Sequence, residues 1–286
     1  MQERRVWYVT LLGRPSAGKS SFVNTVIGDK ISIVSSIPQT TRRLIRGIYT
    51  DKESQIIFQD VPGLHSSAHK WNQSINWITK SALTDTDVIL RVIDGSREKG
   101  EEEGIIDRIV NEASVPVVTI VTKSDILSEK DRKKFPKWAL FVSNITREWI
   151  DEVVKAVAKK LPIGPMLYPE SDVTDQDVYT RVAEFIREKI FQTTYEEVPH
   201  DTYVEVESME DKGKLVKILA YIFCTTESQK KILVWNHGSK IKEIGSMARQ
   251  DLQDLFEKKV YLELHVKVNK DWQGRESITR KVLWKM

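Results

Sequence analysis

Along the first half of the chain, short runs of apolar and β-branched residues alternate with segments of helix-compatible spacing. The runs Val6–Leu12, Leu44–Tyr49, Gln55–Phe58, Val88–Ile93, Pro116–Val121 and Trp138–Val142 predict strands. Strands interleaved with helices predict an α/β unit with a mainly parallel sheet. The pattern breaks after Leu161, where LPIGPMLYPESDVTD holds three prolines and a glycine among acids and short polar residues. A boundary is predicted there, with a first domain over 1–168, a linker at about 161–176 and a second domain over 177–286.

Helical spacing resumes over Asp177–Phe191, where Val178, Val182, Phe185, Ile186 and Ile190 share a face. Thr202, Val204 and Val206 then alternate with Tyr203, Glu205 and Glu207, as in a half-buried strand, and Leu215–Phe223 predicts a second one. Ile241, Ile244, Ala248, Leu252 and Leu255 return to helical spacing, and a last strand puts Val260, Leu262, Leu264, Val266 and Val268 on one face. Helix, strand, strand, helix, helix, strand is the order of an α+β domain.

Composition narrows this picture. The 286 residues are 40% hydrophobic and 30% charged, enough for two modest cores. With 44 basic and 41 acidic side chains the net charge is +3, which excludes a global polybasic coat. Residues 1–168 carry 25 basic and 20 acidic side chains, and 169–286 carry 19 and 21. Any nucleic-acid site in the second half therefore has to rest on local arrangement. A single cysteine, Cys224, excludes an internal disulfide and a thiolate metal cluster. No signal-like apolar segment opens the sequence and no run of 18 or more apolar residues occurs, so a cytoplasmic setting is expected.

The chemistry is concentrated in five loops. Gly13-Arg14-Pro15-Ser16-Ala17-Gly18-Lys19-Ser20 fits G-x-x-x-x-G-K-[ST] between a predicted strand and a predicted helix, the setting in which that spacing cradles phosphate. Lys19 is expected on the β- and γ-phosphates and Ser20 on Mg²⁺, with Ser21 next to the nucleotide. Asp60-Val61-Pro62-Gly63 follows a strand and fits D-x-x-G: Asp60 would hold the metal, most simply through water, and the Gly63 N–H would meet the γ-phosphate. Thr122-Lys123-Ser124-Asp125 is similar to the guanine-reading N-K-x-D. Asp125 can accept from guanine N1–H and N2–H₂, and Lys123 can lay its stem along the base. Ser143-Asn144 fits the weaker element near the guanine O6. Between the first two loops, Ile37-Pro-Gln-Thr-Thr-Arg-Arg43 has the form of a switch, and spacing to the next strand selects Thr41 over Thr40 as its metal-binding threonine. GTP or GDP with Mg²⁺ on Ser20, Thr41 and Asp60 is thus the expected ligand set, with Lys19, Thr41 and Gly63 acting on the γ-phosphate.

P-Q-T-T-R followed by Gly47-Ile48, then D-V-P-G-L-H over Asp60–His65, resembles the Era family of ribosome-associated GTPases. Gln229-Lys-Lys-Ile-Leu and Asn236-His-Gly238-Ser-Lys-Ile-Lys-Glu-Ile-Gly245 resemble the RNA-binding KH domain of that family, and the L-P-x-G-P and Y-P-E elements resemble its linker. The resemblance covers nearly the whole chain. It implies a phosphate-loop GTPase domain of α/β class, an α+β type II KH domain, and binding to the 3′ region of small-subunit ribosomal RNA during 30S assembly. It also implies a monomer in the cytoplasm, with a possible peripheral contact at the inner face of the membrane. Lys230, Lys231, Trp235, Asn236, His237, Gly238, Lys240, Lys242 and Arg249 are the expected RNA-binding set, although a solvated helix face would carry the same charges.

Three departures qualify the resemblance. Ser16 stands where the family usually has an Asn that helps hold an activating potassium ion, which leaves potassium activation open. Thr122 replaces the Asn of N-K-x-D and offers fewer hydrogen bonds, so weaker nucleotide affinity is expected with guanine selectivity kept by Asp125. The KH clamp G-x-x-G reads Trp235-Asn-His-Gly238, where Trp235 either stacks on a base or packs on its own domain. Leu64 occupies the position where Ras-like GTPases carry a water-orienting Gln, so slow intrinsic turnover is expected and His65 is given no base role. His69, His200 and His265 lack metal-ligand spacing; Trp77 is expected in the core and Trp71 in a switch loop. Glu101–Glu103 is expected as a solvated helix start and Cys224 as a buried apolar residue. Two rival readings remain: another phosphate-loop GTPase class, or a nucleotide-gated RNA-binding module with negligible hydrolysis.

Overall fold

The structure, a computed structural model, describes residues 4–64 and 70–284. Contacts divide the chain into two units. One comprises the residues up to Val34 together with Thr41–Asp175, and the other Ser35–Thr40 together with the residues from Gln176 onward.

The first unit is built on β1 (Arg4–Leu12), α1 (Lys19–Ile27), β2 (Ile45–Thr50), β3 (Ser54–Asp60), α2 (Lys70–Thr84), β4 (Val88–Asp94), α3 (Glu101–Glu112), β5 (Val117–Thr122), α4 (Glu129–Arg132), β6 (Leu140–Phe141), α5 (Ile150–Ala158) and β7 (Ile163–Gly164). Its sheet runs β2-β3-β1-β4-β5-β6, with β7 against the start of β1. The β1–β3, β1–β4, β4–β5 and β5–β6 pairs are parallel, whereas β2–β3 and β1–β7 are antiparallel. Central strands of such a sheet are covered on both faces, and β3 is buried along its whole length. One face of the core joins Val9, Leu11, Phe58, Leu90 and Ile120 to Phe22 of α1 and Val153 of α5. Phe22 meets Phe58 edge-on at 6.0 Å.

Several expectations change here. The proline-rich stretch is largely absorbed into the first unit: Gln55 accepts from the Leu167 and Tyr168 N–H groups and donates to the Tyr168 carbonyl, and Thr174 bridges to Gly47. Trp77 is not in the core. Ile75, Ile78 and Ala82 form the buried face of α2, and Trp77 lies off that face, 54% exposed. Glu103 is not solvated either; it is buried between Arg91 and Arg14. His65 and His69 lie outside the described residues, as does the Trp71 side chain.

The second unit contains α6 (Val178–Thr193), β8 (Tyr203–Asp211), β9 (Leu215–Cys224), α7 (Glu227–Val234), α8 (Ser239–Phe256), β10 (Lys259–Val268) and α9 (Glu276–Trp284). Its sheet is β10-β9-β8, with β9–β10 parallel and β8–β9 antiparallel. Helix α7 opens with a capping box, Thr226 accepting from the Gln229 N–H and Gln229 reaching back to the Thr226 N–H. The alternation expected at the start of β8 holds for Thr202, which is buried, but not for Tyr203, which is buried as well, stacked on Phe223 and covered by Trp272, whose indole donates to the Asp201 carbonyl. The segment that supplies Trp272 and then α9 was not legible as an element. His200 meets the Phe191 ring edge-on, and His265 pairs with Glu263 at 2.8 Å. Cys224 is buried, and burial pushes its thiol up to about 11, so it stays a neutral apolar side chain. Among the described residues no helix is long and apolar enough to cross a membrane.

Candidate functional site

The phosphate loop is the bend between β1 and α1, and its shape is set by what surrounds it. A side chain at Gly13 would put its Cβ 2.5 Å from the Val92 carbonyl, so only glycine fits there. Gly18 takes φ 88° and caps α1, and Ser16 takes φ 60°, a left-handed conformation more natural to Asn than to Ser. The Lys19 ammonium is buried and donates to the Gly13 and Arg14 carbonyls at 2.9 and 3.1 Å. Burial pulls its pKa down to about 8, opposed by Asp60 and Glu103. The side chain still carries its charge at neutral pH, and a bound phosphate would favour that charged form further and take over donors now resting on the loop. Arg14 is fixed by its hydrogen bond to the Glu98 carbonyl, 2.9 Å, and by Glu103.

The structure brings Ser20, Thr41 and Asp60 together at the start of α1. The Ser20 and Thr41 hydroxyls lie 3.1 Å apart. Asp60 is fully buried, and neither of its carboxylate oxygens has an aligned hydrogen bond. Burial pushes its pKa up, while the Lys19 charge and the nearby Ser20 and Ser32 hydroxyls favour the ionised form. A buried, unsatisfied carboxylate beside two hydroxyls is an arrangement a small divalent cation completes, so these residues fit Mg²⁺. Gly63 lies against the phosphate loop, where a Cβ would stand 2.5 Å from the Pro15 nitrogen. Between them, the buried Val61 and Pro62 anchor this turn, Pro62 through its carbonyl to Thr79. Thr40 points elsewhere, its hydroxyl donating to the Ile37 carbonyl at 2.9 Å.

Thr122 sits at the end of β5 next to Gly18. Its hydroxyl lies 2.8 Å from the Ala17 carbonyl and 3.1 Å from that of Ile93, so one proton serves both. The tie between base loop and phosphate loop is thus retained, reinforced by Asn144 Nδ2 donating to the Gly18 carbonyl at 3.3 Å. Thr122→Val, which keeps the shape and removes the proton, is expected to speed release of a fluorescent GDP about 5- to 10-fold. An unchanged release rate would show that Asn144 alone holds the loops together. Lys123 takes φ 60° and pairs with Asp94 at 2.7 Å. Burial works against the Asp94 charge, but Lys123 and Ser96 outweigh it and hold its pKa below the usual range. Asp125 is exposed on the short turn Ser124–Ile126, and its carboxylate has no protein partner among the described residues. Ser143 is buried and accepts from the Ile145 and Thr146 N–H groups. Sequence reasoning missed Glu103 and Asp94, the two carboxylates that steady Arg14 and Lys123. Asp94-Gly95-Ser96, an acid and a turn at a strand end, was the signal available for the second.

In the second unit the clamp loop joins α7 to α8. Trp235 has φ 54° and ψ −168°, a region populated almost only by glycine and costing other residues about 1–3 kcal/mol. His237 and Gly238 follow at φ 50° and 78°. Trp235 is 62% exposed, so its ring is not packed on its own domain. Lys231, Lys242 and Arg249 are exposed and Lys230 is half-buried, whereas Lys240 is engaged by Glu243 at 2.8 Å.

A phosphate loop, a D-x-x-G turn and an exposed Asp after β5 define the first unit as a guanine-nucleotide-binding domain of the phosphate-loop class. The sheet and clamp of the second are those of a type II KH domain. Comparison with known proteins agrees. Residues 8–123 match the family described as 50S ribosome-binding GTPase, and residues 197–273 match the KH domain family. GTPase Era of Treponema denticola is 41% identical over 287 residues, spanning 96% of this chain and 98% of that one. GTPase Era of Thermotoga maritima is 39% identical over 282 residues, 95% of this chain and 94% of that one. The crystal structure of a point variant of Aquifex aeolicus Era bound to GDP.AlF4- superposes with a TM-score of 0.91 at 33% identity, over 99% of this chain and 100% of that one. Era in complex with MgGDPNP and nucleotides 1506–1542 of 16S ribosomal RNA gives the same TM-score at 32% identity and the same coverage. The chain belongs to the Era family of GTPases.

Proposed function

We propose that this chain is a GTP-hydrolysing assembly factor of the 30S subunit, which binds small-subunit ribosomal RNA near its 3′ end through its KH unit and is controlled by nucleotide state. The observation that carries this reading is end-to-end likeness, in both units, to an Era structure holding MgGDPNP and nucleotides 1506–1542 of 16S ribosomal RNA. Such a factor acts in the cytoplasm, as a monomer. Lys19, the loop N–H groups and the Gly63 N–H would neutralise and orient the phosphates, and Asp125 would select guanine. Mg²⁺ held by Ser20, Thr41 and, through water, Asp60 would supply further positive charge at the phosphate oxygens. No side chain at position 64 orients water, because Leu64 is buried among Leu12, Ile89 and Ile106. Turnover is therefore slow, on the order of 10⁻⁴ to 10⁻² s⁻¹ without assistance.

Coupling to RNA is supported by how the chain passes between the units. Thr41 belongs to the first unit and faces Ser20, while Thr40, one residue earlier, belongs to the second. There its carbonyl accepts from Arg187 at 2.7 Å, and Arg187 is buried and paired with Glu184. A shift of Thr41 toward a γ-phosphate therefore acts on a peptide carbonyl that the second unit grips.

The test is fluorescence anisotropy of a short single-stranded RNA from the 3′ end of 16S ribosomal RNA beside a scrambled one, with GDP or a non-hydrolysable GTP analogue. Binding at least about tenfold tighter in the GTP-analogue state, selective for the ribosomal sequence and weakening with salt, is expected. Equal binding in both nucleotide states would sink the switch. Absence of binding to either RNA would sink the ribosomal reading.

A further inference from the structure

We infer that Trp235 turns the KH clamp of this chain into a base-stacking subsite for single-stranded RNA; this rests on the RNA-binding reading above. At this position the backbone keeps the conformation that only glycine adopts without strain, so the clamp has held its path while the side chain changed. The large aromatic side chain placed there is left 62% exposed, and its indole makes no ring contact or hydrogen bond with the rest of the described residues. Neither packing nor backbone preference therefore accounts for it.

The surroundings point to a nucleotide. Trp235 borders a concave surface of about 550 Å³ lined also by Lys230, Lys231, Ile232, Val234 and Asn236. The apolar stems and the indole give a base a flat wall, and Lys230 and Lys231 both line the hollow, bringing two positive charges to its neighbourhood for a backbone phosphate. Asn236 adds an amide able both to donate to a base edge and to accept from one. Glu227 also lines it, so the hollow has two cations against one carboxylate and is suited to one or two phosphates rather than to a polyanion. Gly238, at the far end of the clamp, retains positive φ and opens α8, keeping the close backbone approach that Trp235 gives up. The result is a clamp that grips a phosphate at one end and stacks a base at the other.

Stacking on one aromatic corresponds to about tenfold or more in affinity. The experiment uses the full chain with its GTP analogue and the 3′-end RNA, in wild type, Trp235→Gly and Trp235→Phe, each against RNAs carrying an abasic site at one position in turn. Wild type and Trp235→Phe should lose about tenfold at one or two abasic positions. Trp235→Gly should bind the intact RNA about tenfold more weakly, show no loss at those positions, and keep the same salt dependence. Glycine suits this backbone, so the variant should melt no lower than wild type, which separates loss of the ring from loss of fold. Undiminished binding by Trp235→Gly with an unchanged abasic profile would overturn the stacking subsite and leave the RNA reading intact. Failure of the wild type to bind either RNA would remove both.

Discussion

Lys19→Ala is expected to abolish GTP hydrolysis and to weaken GTP binding by about 100-fold or more. The ammonium is buried at the loop carbonyls where phosphate oxygens would arrive. Losing one partner of a buried, hydrogen-bonded charge pair costs about 2–5 kcal/mol, which is where the fold-change comes from. A second loss follows at Asp60. Burial already raises that carboxyl's pKa and the Lys19 charge is the largest influence lowering it, so the variant leaves a poorer anion where the metal should be held. Lys19→Met, which keeps the stem, distinguishes lost charge from lost packing, and a melting curve of each variant checks the fold. Equilibrium binding of a fluorescent GTP analogue reads the affinity, and phosphate release reads the turnover. Hydrolysis by Lys19→Met within a few-fold of wild type would contradict the assigned role.

Asp125→Asn should lose guanine selectivity without losing the fold, because the side chain is exposed and no protein group depends on it among the described residues. In the proposed contact the carboxylate would accept two guanine donors, N1–H and N2–H₂. An amide can still accept from N1–H, but its NH₂ then faces another NH₂. GTP affinity is expected to fall about 100-fold or more, since a charged, two-point contact is replaced by one neutral bond and a clash of donors. Xanthosine triphosphate, which carries a carbonyl in place of that amino group, should gain affinity for the variant. Competition of the two nucleotides against a fluorescent GDP decides it: an unchanged preference for guanine would remove Asp125 from the base site.

Much of this site was legible because its chemistry is local. Gly13 to Ser20 needs only a strand, a turn and a helix start, and the spacing of G-x-x-x-x-G-K-S encodes all three. Thr41 could be chosen over Thr40 from its distance to β2, a one-dimensional argument. The failures share a different cause. Trp77 was expected in the core because it is large and apolar, yet the burial of an α2 side chain depends on which face meets the sheet. Glu103 looked solvated because it sits in a run of three acids, and its two arginine partners come from β4 and the phosphate loop. Tyr203 was given an outward face, but Trp272, 69 positions on, covers it.

The sequence by itself determined the two-unit order, the phosphate loop, the place of Asp125 after a strand in a T-K-S-D turn and the departures at Ser16, Thr122 and Trp235, since each is a property of residue type and spacing along the chain. Only the tertiary structure decided what those departures do. Thr122 keeps the loops tied because β5 ends against Gly18 and puts its one hydroxyl proton between two carbonyls. Trp235 faces solvent because the clamp preserves a glycine backbone that turns the ring out of the core. Hydrogen bonds and burial join residues far apart in the chain, and no local pattern carries information about a partner that folding alone brings near.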